Sequence, residues 1–166
     1  MPITLLKSHI ETPIGYLEVS GTEQGITSIT FLDEKPDTVQ SDNVHRDVVS
    51  QLNEYFDGKR TAFHSLQLSY PATEFQIQVW DTLMNVPFGE TISYGELAKR
   101  SGHNGAARAV GTAMNVNPLP LIIPCHRVLP ADRSLGDYAF GAERKRWLLE
   151  HEASHRSTSS GSKKVM

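Results

Sequence analysis

With 166 residues, a formal charge of −3 and 39% hydrophobic residues, the chain is long enough to bury one good core or two small ones, so one or two domains are expected. Its longest apolar runs, such as Leu119 to Ile123, are too short to span a bilayer, Met1-Pro2-Ile3 opens no signal peptide, and one cysteine excludes an internal disulfide. These features argue against a membrane protein and suit a reducing compartment, the cytoplasm or, in a eukaryote, the nucleus.

In chain order, Ile3 to Ile10 and Tyr16 to Ser20 flank the turn-forming Thr12-Pro13-Ile14-Gly15, and Ile26 to Leu32 follows the Gly21 to Gly25 connection. A small antiparallel sheet is predicted there. A helix follows with Val44, Val48, Leu52 and Phe56 on one face, ending at Asp57-Gly58. His9, His45 and His64 have no cysteine beside them and match no common ligand spacing, so no structural metal is expected.

After a linker around Ser65 to Ala72, Thr73 and Gln76 form a capping-box signature for a helix with Val79, Trp80, Leu83 and Met84 inward, stopped by Pro87-Phe88-Gly89. Ser93 and Glu96 form a second such signature, for a helix with Tyr94, Leu97, Ala98 and Ser101 on one side, and Gly102 ends it. A third helix is expected from Asn104, with Ala107, Val110, Gly111 and Met114 inward and Arg108, Thr112 and Asn115 outward. Gly105, Ala106, Ala109 and Ala113 keep it slim. Two short helices joined by Gly102-His103-Asn104 have the spacing of a helix-turn-helix, whose second helix enters a nucleic-acid groove. Charge agrees: residues 1–90 sum to −8 and residues 91–166 to +5, giving an acidic lobe joined to a basic lobe suited to a polyanion. The predicted organisation is α/β. Residues 1–72 form an N-terminal antiparallel-sheet-plus-helix lobe with its linker, 73–153 a C-terminal helical lobe, and the Ser-rich 154–166 a disordered tail.

The sole cysteine stands in Pro124-Cys125-His126-Arg127-Val128, after the apolar run Asn117-Pro118-Leu119-Pro120-Leu121-Ile122-Ile123. A lone cysteine is most often a small buried hydrophobe. An imidazole and a guanidinium beside it favour the thiolate, however, and an apolar strand ending in a polar turn is a means of presenting one reactive side chain. Cys125 therefore reads as a nucleophile.

These residues resemble the O6-alkylguanine-DNA alkyltransferases, whose signature is the Pro-Cys-His-Arg-Val pentapeptide. The likeness extends through Ser93-Tyr94-Gly95, Ala106-Ala107-Arg108-Ala109-Val110-Gly111, Asn117-Pro118, Gly136, Tyr138 and Trp147-Leu148-Leu149 to His151-Glu152, and it is weak over the first 70 residues. It implies an RNase H-like N-terminal lobe, a winged helix-turn-helix in the C-terminal lobe, and irreversible transfer of an alkyl group from O6-alkylguanine, with O4-alkylthymine as a further substrate, in double-stranded DNA. The reaction needs no cofactor. The implied protein is a monomer, with clustering on DNA left open.

The resemblance also implies residue roles. Cys125 is the alkyl acceptor, His126 its base through a bound water, and Glu152 the group that orients His126. Arg108 replaces the flipped nucleotide in the stack and Tyr94 sits beside the target phosphate and base. Ala106, Ala107, Arg127 and Arg133 complete the DNA-binding set. Asn117 is the hinge that ties the recognition helix to the active-site strand. Pro120 and Phe140 bound the substrate pocket, Tyr138 packs on the guanine, backbone groups near Ala139 contact O6, and carbonyls near Cys125 and Val128 receive the exocyclic amine. Asp137 departs from the family's usual Gly or Asn, and a carboxylate near a polyanion is unfavourable unless turned away or paired with Arg133. Two rivals remain at this point. A noncatalytic lesion sensor would lack the cysteine, and a cysteine hydrolase would need a hydrolysable thioester.

Overall fold

The computed structural model of the protein describes residues 5–39 and 45–165, with 156–165 described by backbone alone. The chain forms two compact units, Met1–Pro71 and Ala72–Met166, dividing one residue before the expected boundary. No helix among the described residues is long and apolar enough to cross a membrane.

In the first unit β1 (Leu6–Thr12), β2 (Gly15–Thr22) and β3 (Gly25–Leu32) form an antiparallel sheet in the order β1-β2-β3. Thr12 pairs with Gly15 across the first turn, where Thr12 Oγ1 donates to the Gly15 carbonyl at 2.6 Å and accepts from Ile14 N–H at 3.1 Å. Period-two alternation buries Ile10, Leu17, Val19, Ile29 and Phe31 on one face. Helix α1 (Arg46–Phe56) buries Val48, Leu52 and Tyr55. The expected face named Phe56 in place of Tyr55; Phe56 is half-buried and meets Tyr55 edge-on at 5.2 Å, while Tyr55 stacks on Phe63 at 5.8 Å. The expected Ile3 strand start and the inward Val44 lie outside the described residues.

The second unit opens with α2 (Glu74–Met84), whose capping box closes in both directions between Thr73 and Gln76. The box expected at Ser93 and Glu96 is half formed. Ser93 accepts from Glu96 N–H at 3.0 Å, but the Glu96 carboxylate turns outward to Arg100 Nε at 3.0 Å. Helix α3 (Tyr94–Arg100) follows directly from the two-residue strand β4 (Ile92–Ser93). Helix α4 spans Ala107–Asn115 and does not start at Asn104, because Gly102 and Gly105 both adopt positive φ and hold the intervening residues in a turn. Ala113, expected outward, is buried.

Strand β5 (Val128–Leu129) pairs with β4 in parallel, Ile92 opposite Val128 and Ser93 opposite Leu129. That ladder brings the start of α3, and hence Tyr94, alongside the segment that carries the cysteine. Helix α5 runs Ala142–Val165, across the segment expected as a disordered tail from Ser154. Once its first turns are formed, each added residue gains a backbone bond, so a polar sequence extends a helix already anchored by packing.

Trp80 ties the core to α4. It is 1% exposed, and its Nε1–H donates to the Ala113 carbonyl at 3.2 Å, one of the α4 carbonyls left without an intrahelical partner at the C-terminal end. Trp80→Phe should therefore destabilise the protein by about 1–3 kcal/mol, the cost of leaving a buried acceptor unpaired. Urea unfolding measures this; an unchanged midpoint would show that the carbonyl finds another donor.

Candidate active site

Cys125 begins a single 3₁₀ turn, Cys125–Arg127, and is 4% exposed. The apolar lead-in is not the strand expected from its composition. Pro118 and Pro120 cannot donate to a ladder, and Leu121 takes φ +79°, so residues 119–123 fold into a buried turn with one isolated bridge between Pro120 and Ile123. Asn117 fastens this turn: its Nδ2 donates to the Ile123 carbonyl at 2.8 Å, and its Oδ1 accepts from Leu119 N–H at 2.9 Å. The Cys125 N–H then donates to the Ile123 carbonyl at 2.7 Å, which fixes the direction in which the sulfur leaves the backbone.

The tight turn sends His126 and Arg127 to one acceptor, Glu152 of α5. His126 Nε2 lies 2.6 Å from Glu152 Oε2, Arg127 Nε 2.8 Å from Oε1, Arg127 Nη2 3.0 Å from Oε2, and Gly89 N–H 3.1 Å from Oε1. Arg127 Nη1 donates to the Val86 carbonyl at 2.7 Å, and the guanidinium lies 5.9 Å from the Phe88 ring centre. Burial alone would raise Glu152, but His126 and Arg127 together hold its carboxyl well below the usual range. An ionised carboxylate only accepts, so Nε2 carries the proton of a neutral His126 and Nδ1 keeps its lone pair. Burial outweighs the pull of Glu152 and holds the imidazole pKa down, favouring that neutral form. Nδ1 is buried and has no hydrogen-bond partner among the described residues.

The thiol itself is pushed up to about 11 by burial, against the opposing pull of Asn117, Lys145 and Tyr138. Tyr138 Oη is buried near the sulfur without a hydrogen bond of normal geometry among the described residues. At rest the site thus holds a protonated thiol and a neutral imidazole with a free lone pair. It can perform nucleophilic chemistry through a general base.

Of the candidate residues, Cys125, His126 and Glu152 belong to this buried cluster. Asn117, Pro120 and Val128 are buried around it, and Tyr138 faces the thiol. Phe140 is half-buried and meets the Tyr138 ring at 5.7 Å, while Ala139 is exposed. A cleft of about 540 Å³ is lined by Tyr94, Ala107, Arg108, Gly111, Pro130 and Asp137. Arg127 departs from its expected role as a DNA contact: it is 6% exposed and its donors go to Glu152 and Val86. A guanidinium so committed has nothing to offer a phosphate. Arg133 is exposed at φ +65° and Ala106 is half-buried ahead of α4.

Two family models match the chain, a 6-O-methylguanine DNA methyltransferase ribonuclease-like domain over residues 5–70 and the DNA-binding domain of the same proteins over 74–154. A methylated-DNA–protein-cysteine methyltransferase of Methanosarcina acetivorans is 41% identical over 150 residues, covering 87% of this chain and 96% of the relative. The chain belongs to this methyltransferase family. A Mycobacterium tuberculosis O6-methylguanine methyltransferase crystal structure, 39% identical, superposes with TM-score 0.81 over 92% of this chain and 94% of its own. A structure from the same organism in complex with DNA is 41% identical, with TM-score 0.81 over 90% of this chain and 93% of its own.

Sequence reasoning missed Lys145. The side chain is 0% exposed, its Nζ donates to the Asp137 carbonyl at 3.0 Å, and its charge opposes the rise of the Cys125 thiol. Helical spacing held the signal, since Lys145, Leu148 and Glu152 fall on one face of α5. The basic run Arg144-Lys145-Arg146 reads more simply as a solvated surface.

Folded Glu152 and His126 both bind protons less readily than their ordinary values of 4.5 and 6.5. The unfolded chain therefore gains protons first on acidification. Stability is full above each ordinary value and falls below it, first through His126 and then through Glu152. Glu152→Gln should cost about 3–5 kcal/mol near neutral pH, by stranding the buried Arg127 charge, and should flatten the more acidic branch. Urea titrations of both proteins from about pH 7 to about pH 3 test this; parallel stability curves would refute the coupling.

Proposed function

We propose that this protein repairs DNA by direct reversal, taking the alkyl group of O6-alkylguanine onto Cys125 in a single irreversible turnover, with O4-alkylthymine as a further substrate. The observation that carries this reading is the buried Cys125 thiol beside a His126 whose Nε2 is committed to Glu152 and whose Nδ1 lone pair is free. Family membership and the DNA complex of the M. tuberculosis relative support it.

The thiol proton passes to His126 Nδ1 by way of a water molecule, and Glu152 holds the imidazole in the required tautomer. The thiolate attacks the alkyl carbon in line with the C–O6 bond. The S–C bond forms as the C–O bond breaks, and guanine leaves with its electron pair and takes up a proton. The product is a thioether with no route back. Because the target lies inside a duplex, the nucleotide must be rotated out at a cost of a few kcal/mol. Helices α3 and α4 serve as a winged helix-turn-helix on the duplex. Arg108, exposed on slim α4, fills the vacated stack; Tyr94 at the start of α3 meets the flipped nucleotide; Ala106, Ala107 and Arg133 approach the backbone. Asn117 couples α4 to the thiol turn. Tyr138, the backbone at Ala139 and the carbonyls of Cys125 and Val128 receive the base, while Pro120 and Phe140 set the pocket's width. The protein acts as a monomer, in the cytoplasm or a eukaryotic nucleus, where its thiol stays reduced.

Incubation with an O6-methylguanine duplex should add one methylene per chain by intact mass. Cys125→Ser should gain none while still binding DNA in a salt-dependent manner. No mass gain by the parent, or equal transfer by the serine variant, would overturn the reading.

Arg108→Ala should slow repair in a duplex more than reaction with free O6-methylguanine, because the arginine acts on the stack and not on the leaving group. Rates on both substrates, measured side by side, decide it. An equal fractional loss would point instead to a pocket or folding defect.

A further inference from the structure

Asp137 stands where a carboxylate is least expected, and the structure leaves it neither turned away nor neutralised by Arg133. Its residue is exposed and lines the cleft shared with Tyr94 and Arg108. It enters no ion pair and no side-chain hydrogen bond among the described residues; its only bond recorded there is the main-chain carbonyl that receives Lys145 Nζ at 3.0 Å. Its charge nonetheless reaches the groups around the sulfur. Burial first, then Asp137 and Cys125, push the Tyr94 hydroxyl up. Burial draws the Lys145 ammonium down, with Cys125 and Asp137 opposing.

Several of the ionisable groups around the thiol cancel or stay neutral. Glu152 and Arg127 form a matched pair, His126 is neutral, and the Tyr94 and Tyr138 hydroxyls are both shifted upward and stay protonated near neutrality. Lys145 is fully buried, with no carboxylate in ion-pair contact among the described residues. The field at the pocket thus combines the buried Lys145, the Arg108 of the cleft and Arg144, which pulls on the Tyr138 hydroxyl, with Asp137 the one carboxylate among the residues lining the cleft.

We propose that Asp137 is a specificity-determining residue, whose carboxylate offsets the buried Lys145 and so favours uncharged alkyl groups over acidic ones such as carboxymethyl. This rests on the alkyl-transfer reading above. The chemistry is the same for either group, an S–C bond formed as the C–O6 bond breaks, so the ratio of the two rates reports the field and not the reaction. Asparagine keeps the shape and the main-chain carbonyl that latches Lys145 while removing the charge.

The test uses single-turnover transfer at saturating protein, from duplexes identical except for O6-methylguanine or O6-carboxymethylguanine. In Asp137→Asn the carboxymethyl-to-methyl rate ratio should rise about five- to tenfold at low salt, the size of a unit-charge change felt across a partly screened surface, and the rise should shrink at high salt. Asp137→Ser should shift the ratio the same way, and Asp137→Glu should restore the parental value. Any general gain in DNA affinity cancels in the ratio. Methyl transfer retained with an unchanged ratio in both neutral variants would overturn the role of Asp137 alone. Absence of methyl transfer by the parent would overturn the proposed function, and this inference with it.

Discussion

The site depends on one buried carboxylate that accepts from His126, twice from Arg127, and from Gly89 N–H. Two oxygens offer about four acceptor positions, and here all are used. A buried ion pair seldom adds net stability over an apolar substitute, so its retention calls for a functional reason. Glu152 fixes a proton on Nε2 and leaves the Nδ1 lone pair that the proposed mechanism uses as a base. Arg127 supplies the counter-charge without which an ionised Glu152 could not remain buried. The guanidinium of the pentapeptide therefore acts through the carboxylate.

This changes how the thiol is understood. A cysteine between an imidazole and a guanidinium suggests a standing thiolate, yet Arg127 is spent on Glu152 and Val86, and burial pushes the thiol up to about 11. On the mechanism proposed above, the nucleophile is stored in protonated form and activated by His126 once substrate is in place. For a protein that acts once, this has a chemical advantage: oxidation and stray alkylation both follow thiolate character and exposure, and Cys125 at rest has little of either.

Local signals in the sequence carried local structure well. Alternation along β1 to β3, the Thr73 cap and the glycine stops need only neighbouring residues. The pentapeptide likewise pointed to Cys125 and His126, and the family's ending His151-Glu152 to the carboxylate that lies against His126. Readings failed where a distant partner decides the outcome. Arg127 reads as a DNA contact until Glu152, on a helix 25 residues away, takes its donors. Tyr55 displaces Phe56 from the α1 face because Phe63 stacks on it. The run at 119–123 has strand-like composition, but its prolines and the positive φ of Leu121 fold it back on itself. Lys145 sits on the inward face by periodicity and carries a charge by composition, and only tertiary structure shows that burial prevails.

Helix α5 joins the two halves of the chemistry. Its first turn holds the pocket loop: Lys145 N–H donates to the Gly141 carbonyl at 3.2 Å, Arg144 Nη1 to the Phe140 carbonyl at 3.2 Å, and Lys145 Nζ to the Asp137 carbonyl at 3.0 Å. Two turns later, about 10 Å along the axis, the same helix delivers Glu152 to the base. At the loop's other end Gly136, at φ +70°, lies so close to Pro130 that an added Cβ would come within 2.7 Å of its ring. The loop is pinned at both ends, with Tyr138 held between and aimed at the sulfur. Because one helix anchors both the loop that the proposed mechanism uses to receive the base and the carboxylate that accepts from His126, helix geometry constrains how leaving group and proton acceptor are placed in that mechanism. That is the condition under which a single, unrepeatable turnover can rely on proximity, since reacting atoms need placement to within a fraction of an ångström.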